Sequence, residues 1–265
     1  MKNITLTLAI STLSSRLEAA ISIFSALHSD ERVEFLILVQ GANTHPEGIN
    51  VPTHIRLVFL DSIGLSNSRN SALKLACGDF VWFLDDDISI EDQDIRWLIP
   101  RLTDLQSIYV CQIRCSDCHG LYKDYSRNRK GKLGALRISS IEIIAPRLAI
   151  EHKGITFNSR IGLGTGYPSG EENLFIIDAI ENGIDIIFLE KPVIGHPCQI
   201  EERKPALSWR NKAQVKSKGV IARQVGGTKG LALIVWWGIR ASQYNRSLKG
   251  LAWIVQGYLT QMKQK

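Results

Sequence analysis

The first hundred residues alternate between apolar runs of strand length and segments in which apolar residues recur at helical spacing. The apolar runs cover residues 4–10, 35–39, 55–60 and 80–84, and the helical spacing covers residues 16–27, 66–76 and 88–105. The run at 35–39 is apolar at every position, which is typical of a strand covered on both faces. This alternation predicts a doubly wound α/β sheet.

The next hundred residues are less regular. Residues 108–113 and 138–144 are strand-like, and residues 122–134 are polar and basic, which indicates a surface loop. Residues 162–170 carry four glycines and a proline, and residues 171–182 have the composition of a helix. We therefore expect a glycine-rich functional loop that leads directly into a helix.

Three adjacent carboxylates, Asp85, Asp86 and Asp87, follow the apolar run Phe80–Leu84. Ligands of doubly wound sheets bind at the carboxyl ends of strands, which is where these residues would lie. If the chain stays extended, Asp85 and Asp87 face one side and Asp86 faces the other. Such oxygen ligands suit Mg²⁺ or Mn²⁺, which commonly bridge carboxylates to substrate phosphates. A solvated acidic loop, or a cap of the following helix, is the alternative interpretation.

The segment that ends in the aspartates is followed along the chain by two more segments with distinctive residues. GLSNSRNSALKLACGDFVWFLDDD, residues 64–87, places Arg69 and Asn70 in the first turns of a helix, a plausible diphosphate site. FNSRIGLGTGYPSGEENLF, residues 157–175, joins the glycine-rich loop to a pair of glutamates, and VIGHP follows at 193–197. Together, in this order, the three segments resemble the pattern of family 2 glycosyltransferases.

The resemblance implies a Rossmann-like nucleotide-diphospho-sugar transferase fold of the GT-A type, with a mixed central sheet. It also implies transfer of a sugar from a nucleotide-sugar donor with inversion at the anomeric carbon, assisted by Mn²⁺ or Mg²⁺. By position in the motifs, Asp85 would lie near the nucleotide ribose and Arg69 near the nucleotide or its diphosphate. The residues expected to bind the donor nucleotide are Thr12, Gln40, Arg69, Asn70, Asp85 and Asp86.

The same resemblance assigns the metal and the base. Asp87 would bind the divalent ion, and His196 would be a second ligand of the metal or of the diphosphate. Inverting transfer needs one base to accept the proton of the acceptor hydroxyl. The family has a Glu-Asp pair where this chain has Glu171-Glu172, so we predict Glu172 as the base and Glu171 as the second choice. Alternatively, two glutamates at a helix amino terminus simply favour the helix dipole.

The cysteines suggest a different chemistry. Cys111, Cys115 and Cys118 have the spacing of an iron–sulfur cluster loop, and with His119 or Cys198 they could hold zinc. The alternative is that Cys111 belongs to a buried strand and the others lie where that strand ends. Five cysteines without disulfide-framework spacing favour a reducing cytosol, and the amino terminus resembles a first strand more than a leader peptide.

The end of the chain differs sharply in charge from the rest. No Asp or Glu follows Glu202, whereas 13 Lys and Arg residues do, and residues 1–202 hold 19 basic against 26 acidic residues. We therefore predict a catalytic domain at 1–202 and a basic amphipathic helical tail at 203–265. Two apolar runs with tryptophans and basic residues at 230–260 favour association with an anionic membrane surface. A helical hairpin packed on the body and a nucleic-acid patch are the alternatives.

These features favour a metal-dependent inverting glycosyltransferase at the cytoplasmic face of the cell membrane. Its acceptor would be a glycan or lipid-linked hydroxyl in surface polysaccharide synthesis, and no nucleic-acid partner is expected. Two other functions are compatible with the same residues. One is a nucleotide- or carbohydrate-binding protein of the same fold without transfer activity, and the other is a nucleotidyltransferase.

Overall fold

The computed structural model describes residues 4–41, 48–118, 120–126, 130–198 and 205–262. Within these ranges the strands are β1 Leu6–Leu13, β2 Val33–Gln40, β3 Ile55–Leu60, β4 Phe80–Leu84, β5 Ser107–Cys115, β6 Ile143–Pro146 and β7 Asp185–His196. The α-helices are α1 Leu17–Ser25, α2 Leu65–Leu75, α3 Asp92–Leu98, α4 Gly131–Ala135, α5 Arg147–His152, α6 Glu171–Glu181, α7 Pro205–Arg210, α8 Lys212–Val225, α9 Gly227–Asn245 and α10 Lys249–Leu259.

The seven strands form one mixed sheet in the order β3-β2-β1-β4-β6-β5-β7. Strands β3, β2, β1 and β4 are parallel, β6 runs antiparallel to both β4 and β5, and β7 is parallel to β5. The predicted α/β class and the mixed sheet are confirmed. The carboxyl ends of β1, β2 and β4 lie side by side, so Thr12, Gln40 and the residues after Leu84 share one edge of the sheet.

Alternating side chains of the strands supply two apolar layers. In β1, Leu8 packs in the layer covered by α1 and α3, whereas Ala9 packs in the layer covered by α2, α6 and the carboxyl-terminal helices. Both faces of the central strands are therefore buried, which explains the continuous apolar run in β2.

The segment after the aspartates is not the long helix that its spacing predicts. Residues 88–90 are extended, and Ser89 exchanges two backbone hydrogen bonds with Gly195 of β7, with N–O distances of 2.9 and 2.7 Å. Helix α3 begins only at Asp92 and gives way to a 3₁₀ turn at Ile99–Arg101. The pairing holds the chain that follows the aspartates beside the end of β7.

Two other predictions need correction. The strand expected at 138–144 is a 3₁₀ turn at Ser140–Glu142 followed by the short strand β6. The surface loop expected at 122–134 includes α4, and its residues 127–129 lie outside the described residues. Helix α6 and the glycine-rich loop before it are as predicted.

The carboxyl-terminal helices pack on the body and on one another. Ile221 of α8 contacts Gly170, where a β-carbon would lie 2.4 Å from Ile221 Cδ1. The hydroxyl groups of Tyr167 and Thr260 are 3.0 Å apart. The structure thus contains the packed hairpin weighed as an alternative for the tail, while the predicted boundary near residue 203 lies outside the described residues.

Candidate functional site

A cavity of about 500 Å³ opens at the carboxyl ends of β1, β2 and β4. Five segments of the chain surround it, so each strand end contributes polar groups and the glycine-rich loop closes one side. Its lining residues are Ser11, Thr12, Leu13, Arg16, Gln40, Ile63, Gly64, Leu65, Asp85, Asp86, Asp87, Leu163 and Gly164. Five of the predicted site residues therefore line one cavity: Thr12, Gln40, Asp85, Asp86 and Asp87.

The chain turns after Asp85, so the three aspartates do not alternate as they would in an extended strand. All three line the cavity, and the opposite orientation of Asp86, which was expected for an extended chain, does not apply because the chain turns. Each carboxylate has a different cation or donor within reach. This arrangement lets three like charges stand together at the end of a buried strand.

Asp86 is held by one group near the end of β1 and one just after it. Thr12 Oγ1 donates a hydrogen bond to Asp86 Oδ2, and Arg16 Nη2 lies 2.8 Å from Asp86 Oδ1. From the sequence, Arg16 fits the arginine that family 2 glycosyltransferases carry after the first strand only loosely, and a surface arginine is an equally good interpretation. The signal that could have found it is its position just after β1, because parallel neighbours β1 and β4 end at the same edge of the sheet.

Asp87 pairs with His196. His196 Nε2 lies 3.4 Å from Asp87 Oδ1, and His196 Nδ1 lies 2.8 Å from the carbonyl oxygen of Pro197, to which it donates. The hydrogen bond from His196 lowers the pKa of Asp87, and the Asp87 carboxylate raises the pKa of His196. The two predicted metal ligands are thus neighbours, although they are 109 positions apart in the sequence.

Arg69 connects the aspartates to the glutamates of α6. Its side chain is 2% exposed, with Nη1 2.8 Å from Glu171 Oε1 and Nη2 3.2 Å from Asp85 Oδ1. Loss of hydration and the charge of Asp87 raise the pKa of Asp85, while the Arg69 guanidinium opposes this rise. The guanidinium also lies 5.7 Å from the centre of the Phe157 ring. Arg69 is therefore a buried bridge, and it does not line the cavity.

The two glutamates differ in surroundings. Glu171 is buried and forms an ion pair with Arg69. Its carboxyl group packs against Gly162 of the glycine-rich loop, where an added β-carbon would lie 3.2 Å from Glu171 Cδ. Glu172 is partly exposed, and burial of its carboxyl group together with the charge of Glu171 raises the pKa of Glu172 to about 8. A carboxylate with a pKa near neutrality accepts a proton far better than an ordinary one.

Gln40 and Asn70 bind backbone groups. Gln40 Oε1 accepts a hydrogen bond of 2.9 Å from the Gly64 N–H at the start of α2. Asn70 donates to the carbonyl oxygen of Phe157 and accepts from its N–H, at 2.7 and 2.8 Å. Asn70 does not line the cavity. Its two hydrogen bonds to Phe157 instead anchor the segment that leads to the glycine-rich loop.

The cysteines divide into two groups. Cys111 is buried within β5, as the alternative interpretation holds, whereas Cys115, Cys118 and Cys198 bring their sulfur atoms within 4.8 Å of one another. Cys115 and Cys198 are joined as a disulfide. His119, the other ligand considered from the sequence, lies outside the described residues.

Comparison with sequence families gives one match. A family model described as "Glycosyl transferase family 2" matches residues 21–159, slightly more than half of the chain. The matched region contains α2, β4 and the three aspartates. A search of the curated proteins finds no match to this chain.

Solved structures with the same fold include several of S. aureus TarS. A crystal structure of TarS 1-349 has a TM-score of 0.60 and 14% identity, covering 96% of this chain and 72% of that one. The complex of TarS 1-349 with UDP-GlcNAc has a TM-score of 0.62 and 12% identity, covering 96% and 91%. A further TarS structure has a TM-score of 0.63 and 13% identity, and this chain spans 55% of it. These likenesses show a shared fold.

Proposed function

The chain belongs to glycosyl transferase family 2, and on that premise we propose that it transfers a sugar from a nucleotide-sugar donor to an acceptor hydroxyl with inversion. The observation that carries the proposal is the cavity in which Thr12, Gln40 and the three aspartates meet. Its volume of about 500 Å³ falls within the range of ordinary ligand pockets. The donor's nucleoside would lie against the ends of β1 and β2, and its diphosphate near the aspartates.

The donor set at the end of β4 fits a divalent metal ion. Asp85 and Asp87 offer carboxylate oxygens and His196 offers an imidazole nitrogen, a combination suited to Mn²⁺ or Mg²⁺. Bound there, the ion would neutralise the negative charge that develops on the departing nucleoside diphosphate. Thr12 and Arg16 hold Asp86, which orients the turn that carries the other two carboxylates.

Glu172 is the proposed base. Glu171 is paired with Arg69, whereas the partly exposed Glu172 lies outside that buried ion pair, and its pKa is raised to about 8. Its carboxylate takes the proton of the acceptor hydroxyl as that oxygen attacks the anomeric carbon. The hydroxyl oxygen forms the new glycosidic bond, and the bond to the diphosphate oxygen breaks.

The tail suggests where the acceptor is found. Helix α9 buries one face against the body and α8, yet its opposite face exposes apolar side chains, and α10 does the same. We define the hairpin face as the exposed residues Leu231, Val235, Trp236, Ile239, Leu251, Val255 and Leu259. Leu251 of α10 packs against Gly238 of α9, so the two helices meet beside this face. Within the described residues, no helix is long and apolar enough to cross a membrane.

We propose that the hairpin face lies in an anionic lipid surface. Val235 and Trp236 are 59% and 56% exposed, and a helix with two apolar faces needs a second apolar environment. Lys229, Arg246 and Lys249 flank the face, and residues 203–265 contain no acidic residue, which favours anionic headgroups. A lipid-linked glycan at the cytoplasmic face of the membrane is therefore the proposed acceptor class, and surface polysaccharide synthesis the proposed setting.

Binding to vesicles tests this surface. A variant carrying Val235→Asp and Trp236→Asp should partition at least about tenfold less onto phosphatidylglycerol vesicles than the unaltered protein does. Leu105→Asp is the matched control, because Leu105 is 51% exposed on the body of the protein. Equal partition of both variants, or binding to neutral and anionic vesicles alike, would contradict the proposal.

The transfer reaction is tested by following the donor. Purified protein with Mn²⁺ should release a nucleoside diphosphate from one member of a panel of nucleotide sugars, beginning with UDP-GlcNAc because TarS 1-349 has been crystallised with it. The anomeric configuration of the product, read by NMR, should be inverted. Nucleotide binding without turnover would indicate a binding protein, and release of inorganic diphosphate from a nucleoside triphosphate would indicate a nucleotidyltransferase.

A further inference from the structure

Three cysteines from two distant segments meet at the ends of β5 and β7. Cys115 is the last residue of β5, Cys118 follows it in a turn, and Cys198 comes two residues after the end of β7. Their sulfur atoms all lie within 4.8 Å of one another. In a tetrahedral zinc site with Zn–S bonds of about 2.3 Å, neighbouring sulfurs are about 3.8 Å apart. Once the Cys115–Cys198 bond is reduced, side-chain adjustments are therefore enough to reach such a site.

Hydrogen bonds from backbone N–H groups fix the chain around Cys115 and Cys198. The Cys115 N–H donates to the Gly120 carbonyl at 2.7 Å, and the Cys198 N–H donates to Asp117 Oδ2 at 2.6 Å. The N–H of Ser116 donates to the carbonyl oxygen of His196 at 3.1 Å, which ties the turn to the end of β7. The Cys115–Cys118 spacing, with two residues between, lets one turn present two thiolates to the same ion.

We propose that, in the reduced protein, Cys115, Cys118 and Cys198 bind one zinc ion as thiolates. Zinc suits this donor set because thiolates are soft ligands and the ion imposes a compact tetrahedral geometry. Each thiol loses its proton when the ion binds. The bound ion fastens the chain beyond β7 to the turn after β5, next to the strand end that carries His196.

The Cys115–Cys198 disulfide is the oxidised alternative to the zinc-bound state. One of these two thiolates attacks a small-molecule disulfide such as oxidised glutathione, forms a mixed disulfide and displaces one glutathione thiolate. The other cysteine thiolate then attacks the mixed disulfide, which closes the Cys115–Cys198 bond and displaces the second glutathione thiolate. The zinc ion is released, and Cys118 takes up a proton and remains a thiol. Cys118 is exposed, so the ion and small thiols can both reach the cluster.

Metal analysis of the full chain tests the site. Protein produced with zinc in the medium and purified anaerobically with a phosphine reductant should contain about one zinc per chain. Cys118→Ser, which alters an exposed side chain, and Cys198→Ser should each lower the zinc content at least fivefold. Cys77→Ser is the control, because Cys77 is also exposed but lies outside the cluster, and it should keep the full content.

Cobalt gives an independent readout of the ligands. Replacing zinc by Co²⁺ should produce a thiolate-to-metal charge-transfer band that weakens in Cys118→Ser and is unchanged in Cys77→Ser. A reduced protein without zinc would overturn the proposal, as would equal zinc content in Cys118→Ser and the unaltered protein. A protein that, even when purified under reductant, shows three reactive thiols out of five cysteines after denaturation would also overturn the proposal, because the Cys115–Cys198 disulfide would then persist and leave no site for zinc.

Discussion

Replacing Arg69 by methionine removes the cation that pairs with both Asp85 and Glu171. Arg69 is 2% exposed and Glu171 is 7% exposed, so water cannot replace the lost contact efficiently. Charges about 4 Å apart interact by about 4 kcal/mol at an effective dielectric constant of 20, and breaking a buried pair costs about 3–5 kcal/mol. We expect Arg69→Met to lower the free energy of unfolding by about 3–5 kcal/mol.

A double-mutant cycle isolates the pair. Glu171→Gln keeps an oxygen that can accept from Arg69 and removes the charge, so it should cost about 1.5–3 kcal/mol. The double variant should lose about 1–3 kcal/mol less free energy of unfolding than the two single variants lose in sum. Each single variant leaves the partner's charge buried without its counter-charge, whereas the double variant removes both charges of this pair. Urea unfolding followed by tryptophan fluorescence measures all three values.

The surface pair of Arg32 with Asp30 provides the control for this cycle. Arg32 is 49% exposed, and Arg32→Met should leave the urea midpoint unchanged. Strict additivity of Arg69→Met and Glu171→Gln would refute the reasoning. So would a loss below about 1 kcal/mol for Arg69→Met, which is the size expected for a solvated surface pair.

Two further predictions concern the base and the packing of the tail. Glu172→Gln should lower kcat by about 10²–10⁴-fold with nucleotide affinity retained. Because the base must be ionised and its pKa is about 8, the rate of the unaltered protein should rise with pH up to that region. Glu171→Gln should move this limb to lower pH, and an unmoved limb would contradict the assignment. Gly257→Ala should cost about 1–3 kcal/mol in urea unfolding, since its β-carbon would lie 2.0 Å from the Lys216 carbonyl oxygen of α8. Gly166→Ala, which meets no atom within 4 Å, should not share that loss.

Features that depend on local sequence were predictable. Strand β4 is confirmed with its predicted bounds, Phe80–Leu84, because five consecutive buried residues end abruptly at charged ones. Helix α6 begins at Glu171 as predicted, because Gly170 adopts the left-handed conformation (φ 105°) that glycine favours. Both features place the candidate carboxylates without knowledge of the rest of the fold.

Features that depend on distant contacts were not predictable from the sequence. Residues 88–90 have helical spacing but are extended, because Ser89 pairs with Gly195 more than a hundred positions away. Arg69 was expected near the nucleotide or its diphosphate, and its burial between Asp85 and Glu171 depends on how α2, β4 and α6 pack together. These contacts join residues that are far apart in the sequence, so no local pattern of residues indicates them.

The third such feature is the cysteine cluster. The sequence groups Cys111 with Cys115 and Cys118 by spacing, but Cys111 lies four residues before the end of β5, about 13 Å from it along the strand, and belongs to a buried layer of the sheet. Cys198 joins the cluster because β7 is parallel to β5, which brings the ends of both strands together.

The central claim is that a nucleoside diphosphate and a divalent ion occupy the cavity between Thr12, Gln40 and the three aspartates. Calorimetric titration of UDP, GDP, dTDP and CMP, with and without Mn²⁺, into the unaltered protein and Asp87→Asn tests it most directly. The account predicts that one nucleotide binds, that binding requires Mn²⁺, and that Asp87→Asn abolishes it. Absence of metal-dependent binding for every nucleotide, or equal binding by Asp87→Asn, would contradict it.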